Sequence, residues 1–174
     1  SELAPHTNLN KKFNYVKKTK SLETTKKYFN ESKSLSAIEL KEFSLLYLLM
    51  NNLDLMKENL HLIENVSLFT EVNKQIFSKI ISKLKLEDKT ILKDLEIDEQ
   101  LIEKINKFAP IKYILGKKNK NDHEIIGLLD DINRDLKSYN LELRIQELES
   151  KFSKDLSETT FNELKELKKK QNIN

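Results

Sequence analysis

The sequence predicts an all-α fold, a multi-helix bundle joined by one long helix to a C-terminal two-helix hairpin. Three observations predict it. Only two Gly and two Pro occur in 174 residues, and a chain so poor in turn formers and so rich in Leu, Ile, Lys and Glu suits helices rather than strands. Apolar residues recur at steps of three and four, the period of one helix face, and not in alternation. Finally, the longest of these runs changes phase part-way, so a single helix carries two apolar faces that require two bodies.

Residues 1–34 read as a basic polar linker or arm, residues 35–135 as the bundle and residues 136–174 as the hairpin. The arm holds eight Lys and three acids and has no sustained apolar period. Within it Lys11, Lys12, Tyr15, Lys17 and Lys18 interleave charge with a ring, a pattern suited to phosphates and stacked bases; a solvated linker has the same composition.

The bundle is expected to open at Ser36, which with Glu39 forms a capping box. Leu40, Phe43, Leu46, Tyr47, Leu49 and Met50 make that first helix apolar over most of its circumference, a central position, and Asn51-Asn52 ends it. A short helix over 54–62 follows, then one from a Ser67 cap to Leu84 with Phe69, Val72, Ile76, Ile80 and Leu84 on one side. Further helices are expected at 89–95 and, after an Asp98 cap, at 99–108, with a last turn at 111–115 between Pro110 and Gly116.

Asn121 and Glu124 form the start signal of the long helix. Its first stripe is Ile125, Leu129, Ile132, Leu136, Tyr139 and Leu143; its second is Leu141, Ile145, Leu148 and Phe152. At about 100° per residue the two stripes lie on nearly opposite sides. Ser157 is placed to cap a final helix, with Leu156 stapled against Phe161, and Phe161, Leu164 and Leu167 are expected to face inward.

Composition also excludes several functions. There is no cysteine and hence no disulfide framework or thiolate zinc site. No apolar run spans a membrane and the N-terminus has no apolar signal core, consistent with a cytoplasmic protein. The net charge of +3 is concentrated in the arm at +5, so residues 35–174 carry −2 and do not form a coat for nucleic acid. His6, His61 and His123 stand far apart with no partner at ligand spacing, and the two Gly are isolated, so no metal site, phosphate loop, cofactor or catalytic group is expected. Asp130, Asp131 and Asp135 read as a solvated helix face.

At the hairpin, the run Leu141 to Glu149, the short gap, Leu156-Ser157 and the Leu- and Lys-rich final helix resemble the C-terminal helicase-binding domain of bacterial replicative primase, of the DnaG type. The leucine run Leu45 to Met50, leading to Asn51-Asn52-Leu53, is similar to that domain's first bundle helix, with Asn52-Leu53 where the family has His-Pro. The resemblance covers residues 35–174. It implies a non-catalytic interaction module whose hairpin anchors primase to the N-terminal domains of the hexameric replicative helicase while the bundle modulates helicase activity. The zinc-binding region and polymerase core of the family are not in this sequence, and residues 1–34 would be the linker from that core. Two alternatives are a nucleic-acid-binding module that uses the basic arm, and the related N-terminal domain of a replicative helicase. Against the latter, Lys168-Lys169-Lys170 and the polar residues after it look like a natural chain end.

With the inward stripes committed to the hairpin's own core, the partner is expected to be met by Arg144, Gln146, Glu147 and Ser150 on the long helix and by Asn162, Lys165, Glu166 and Lys169 on the last. Arg144 is the expected centre, since a guanidinium binds carboxylates bidentately and Arg is enriched at interface hot spots.

Overall fold

The computed structural model describes residues 23–86, 97–116 and 120–173. Among them the chain is all-α: α1 (Glu23–Lys33), α2 (Ala37–Asn51), α3 (Leu53–Glu58), a 3-10 turn (Leu60–Leu62), α4 (Glu71–Lys85), α5 (Glu99–Phe108), α6 (Ile111–Leu115), α7 (Asp122–Lys154) and α8 (Glu158–Ile173), with no strand. Among these residues no helix is long and apolar enough to cross a membrane. Chain contacts separate two units, Ser1–Ser34 and Leu35–Asn174.

Of the first unit residues 23–34 are described, and Glu23–Lys33 is a helix that the sequence reading did not expect. Its side chains are mostly polar, so it shows no apolar stripe to read. The segment lacks Gly and Pro, however, and places Glu23 in its first turn and Lys33 in its last, which complements the helix dipole at both ends.

In the second unit α2 is the central element. The capping box forms as expected: the Ser36 hydroxyl accepts from the Glu39 N–H, and the Glu39 carboxylate accepts from the Ser36 N–H at 2.8 Å. Leu45, Leu46, Leu48 and Leu49 are all 0% exposed, because α4, α5, α6 and α7 surround the helix. The helix stops where Asn51 and Asn52 turn their side-chain amides back onto the Tyr47 and Leu48 carbonyls, each at 2.8 Å, and so give acceptors of the last turn a side-chain donor. Asn59 repeats the device on Leu55, so the segment expected as one helix over 54–62 is α3 followed by the 3-10 turn.

The start of α4 departs from expectation. Ser67 does not cap it; Thr70 holds the N-cap position without a side-chain cap bond, and the helix begins at Glu71. The cap comes instead from Glu42 of α2, which is 0% exposed. Its carboxylate accepts from the backbone N–H groups of Phe69 and Thr70 and from the Asn73 amide. An anion at a helix N-terminus meets unpaired N–H groups and the positive end of the dipole together. The helix expected over 89–95 lies outside the described residues. Beyond it, Asp98 caps α5 through the Gln100 N–H at 3.0 Å, and α6 stands between Pro110 and Gly116 as expected.

The long helix has its predicted capping box at Asn121 and Glu124. Its 33 residues give a length of about 50 Å. Ile125, Leu129 and Leu136 are buried in the main core with Ile132 packed beside them, and Tyr139 closes this half with an edge-on contact to Phe69 at 4.9 Å between ring centres. A second, separate core of Ile145, Leu148 and Leu164, flanked by Leu141 and Leu167, joins the other half to α8. Leu136 and Ile145 are nine residues apart, about 180° around the helix, which is the phase change the sequence shows.

Candidate functional site

The hairpin is built on few buried side chains. Each fully buried large apolar residue contributes about 1.5 to 3 kcal/mol, so three such residues hold α7 and α8 together with modest strength. Ion pairs add to the join: Arg144 of α7 reaches Glu163 of α8 at 2.8 Å, and Glu149 of α7 meets Lys168 of α8 at 2.6 Å.

The corner between the helices differs from the capped, stapled start expected of α8. The Ser157 carbonyl accepts the Phe161 N–H at 3.0 Å and so begins the helix, while the Ser157 hydroxyl pairs with that of Thr159. Leu156 is not stapled to Phe161: it is 80% exposed. Thr160, Leu164 and Leu167 form the inward row, with Thr160 4% exposed, and Phe161 is turned outward at 48%. The reason is a ring contact. Phe152 of α7 sits 5.7 Å from Phe161 between ring centres and holds it on the flank rather than in the seam. Phe152 and Phe161 thus meet beside the corner, where Leu156 is also exposed, and the three make an apolar tip at the end of the hairpin.

The residues expected to meet a partner lie outside the hairpin core, but the structure gives them different standing. Arg144 is committed within the molecule, to Glu163 and, at 3.4 Å, to Glu147. Its hydrogen bond with Glu163 is the main reason its pKa is raised above the ordinary value, followed by the charge of that same carboxylate. Glu166 and Lys169 pair with each other at 2.9 Å, one turn apart along α8. That hydrogen bond, ahead of the charges of Lys169, Lys170 and Lys165, holds the Glu166 carboxyl below its ordinary pKa. Gln146, Ser150, Asn162 and Lys165 are exposed. Lys11, Lys12, Tyr15, Lys17 and Lys18 lie outside the described residues.

Sequence reasoning missed the tip. Leu156 between Asp155 and Ser157 is an apolar residue in a polar corner, and that isolation was the available signal; assigning it to a staple concealed it. Elsewhere the acidic residues of α7 take ordinary surface partners, Asp131 with Arg134 at 3.1 Å and Asp135 with Lys41 at 2.6 Å. Among the described residues no three His, Cys, Asp or Glu are grouped to hold a metal ion.

Comparison of the chain with protein-family models, with curated proteins and with solved structures returns no match.

Proposed function

We propose that this chain is a protein-interaction module that docks through its C-terminal hairpin, and that its partner is the hexameric replicative helicase of a bacterial cytoplasm, met at the helicase N-terminal domains. The observation that carries the reading is the apolar tip. Leu156 at 80% and Phe161 at 48% exposure stand at the far end of α7, on a subdomain with its own small core. Monomeric surfaces keep such side chains scattered, whereas a group of them at one extremity suits a partner's apolar pocket. Docking also stabilises a hairpin that buries little by itself.

The identity of the partner rests on the resemblance of residues 35–174 to the helicase-binding domain of bacterial primase. In that role the module recruits primase to the replication fork and the bundle modulates the helicase, while primer synthesis belongs to a catalytic core elsewhere. The reading is tested by pull-down and by titration of the chain against the replicative helicase of the same organism. Binding lost on Leu156→Asp, with the fold intact, supports it. Undiminished binding by that variant removes the tip from the interface, and no binding by the unaltered chain overturns the choice of partner.

A further inference from the structure

A second candidate surface lies on the bundle, where α5 gives way to α6. From Lys104 to Lys120 the chain carries six Lys and no Asp or Glu, against a net charge of −2 for residues 35–174 as a whole. Lys117 and Lys118 of this run lie outside the described residues, and Lys120 is paired with Glu124 at 3.6 Å; the surface is built without these three. Helix α6 is fastened to the bundle by Ile111, 5% exposed, with Leu115 packed against the core one turn on. Residues 113 and 114 fall on the other side of that turn. There Tyr113 is 57% exposed and Ile114 48%.

Lys112 gives the surface its charge. Its ammonium donates to the Asn106 and Lys107 carbonyls at 2.9 and 3.1 Å, at the end of α5. The helical partner of the Asn106 carbonyl would be residue 110, a Pro without an N–H, so the lysine takes over that role. The same ammonium stands 5.2 Å from the centre of the Tyr113 ring. A carbonyl has no net charge with which to cancel the cation, and two bonds use two of its three donors. Among the described residues Lys112 has no carboxylate partner. One N–H and a full positive charge are thus held beside an open aromatic ring.

We propose that this surface binds single-stranded nucleic acid, with a base stacked on the Tyr113 ring and an adjoining phosphate taking the remaining Lys112 N–H. Rings that stack on bases beside cations that meet the backbone are the recurring platform for single strands. A duplex keeps the faces of its bases inside its own stack. A lipid surface is bound in proportion to the apolar area buried, and two side chains on a helix of five residues offer little. An acidic peptide would use the cation and leave the ring without a stacking partner. Because the end of α5 already holds Lys112, the cation is in place before a ligand arrives.

The test uses the full chain, which has no Trp, so that Tyr113→Trp places a single indole at the site. An oligothymidylate of about 12 nucleotides is expected to quench its emission; polyglutamate and phosphatidylglycerol vesicles at equal anion concentration are expected not to. The same strand, fluorescein-labelled, is titrated by anisotropy at low salt. Tyr113→Ala, which changes an exposed side chain, is expected to weaken binding by at least about fivefold. Lys112→Gln is expected to make the fall of log affinity with log salt shallower by about 0.7, the share of one phosphate contact on a single strand. The basic arm of residues 1–34 is the same in every variant, so these differences report on α6. Leu156→Asp is expected to bind the strand like the unaltered chain, which separates this surface from the hairpin tip. Unquenched emission, full-strength binding by Tyr113→Ala, an unchanged salt slope in Lys112→Gln, or no binding by the unaltered chain overturns the proposal. Quenching by polyglutamate or by the vesicles and not by the strand overturns it in favour of an acidic peptide or a lipid surface.

Discussion

The Asn73 amide of α4 donates to the Glu42 carboxylate of α2 over 2.7 Å, and both residues are sealed from solvent, at 1% and 0% exposure. This one carboxylate also accepts the Phe69 and Thr70 N–H groups, so it fastens α4 and the loop before it to the central helix. Ordinary N-caps are local and sit within a few residues of the helix they serve. Here the acceptor lies on a different helix, and the start of α4 depends on tertiary structure.

Removing that carboxylate leaves three donors without an acceptor, the buried Asn73 amide and the part-buried Phe69 and Thr70 N–H groups. At about 1–3 kcal/mol for each unsatisfied group, Glu42→Ala is expected to destabilise the chain by at least about 3 kcal/mol in chemical denaturation. Glu42→Gln keeps the shape and one acceptor oxygen and is expected to lose less. Equal stability of Glu42→Ala and the unaltered chain would show that the loop before α4 finds other acceptors.

The two cores along α7 predict separable responses. Leu129 is 0% exposed in the bundle and Leu148 is 2% exposed in the hairpin. A buried Leu→Ala change costs about 2–5 kcal/mol. Leu129→Ala is expected to lower hydrogen-exchange protection across α2, α4 and the first half of α7, and Leu148→Ala chiefly in α8 and the second half of α7. Equal loss of protection in both regions in both variants would contradict two independent bodies.

Along α8 the depressed pKa of Glu166 has a defined sign. Because its folded value lies below the ordinary carboxylate value, the pairing with Lys169 contributes above that ordinary value and is lost as pH falls through the lowered one. NMR titration of the side-chain carboxyl is expected to show Glu166 protonating at lower pH than a free glutamate. Lys169→Ala is expected to raise that midpoint, and so is high salt, since the pair is exposed to solvent. No upward movement in Lys169→Ala would assign the shift to another neighbour.

Most of the fold could be read from local chemistry. The capping boxes at Ser36 and Asn121 and the phase change in α7 are short-range signals, and the long helix begins where Asn121 and Glu124 place it. What was not legible depends on contacts distant in sequence. The start of α4 is set by Glu42, 27 residues before Phe69 in the chain. Helix α1 carries no apolar stripe, so periodicity gave no sign of it. At the hairpin the inward row was displaced by one residue near the corner, from Phe161 to Thr160, because Phe152 captures the Phe161 ring.

Arg144 was the residue expected to lead partner recognition, and its position between Glu163 and Glu147 assigns it a share in holding the hairpin as well. Two variants separate these roles. If the bridge between helices is what matters, Glu163→Gln reproduces the effect of Arg144→Ala on helicase binding, and the double variant is no weaker than either single one. If Arg144 itself touches the partner, Arg144→Ala weakens binding while Glu163→Gln does not. Greater sensitivity of hairpin protection to salt in the unaltered chain than in Arg144→Ala is expected in either case, because the pair is exposed.

The apolar tip gives the sharpest separation of stability from binding. Leu156 is 80% exposed, so replacing it removes little buried surface, and Leu156→Asp is expected to leave the unfolding free energy within about 0.5 kcal/mol of the unaltered chain. Phe161 is half-exposed and touches Phe152, so Phe161→Ala is expected to loosen the corner somewhat as well as weaken docking. Large apolar and aromatic side chains that enter a partner's pocket are the residues whose truncation costs about 2 kcal/mol or more at an interface. Leu156→Asp, which places a charge where an apolar pocket is expected, is therefore predicted to weaken helicase binding at least tenfold, as measured by calorimetry. Charge alone is controlled by Ser153→Asp, a nearby exposed position on α7, which is expected to bind nearly as well as the unaltered chain. If Ser153→Asp weakens binding as much as Leu156→Asp does, the effect is electrostatic and the apolar tip is not the contact.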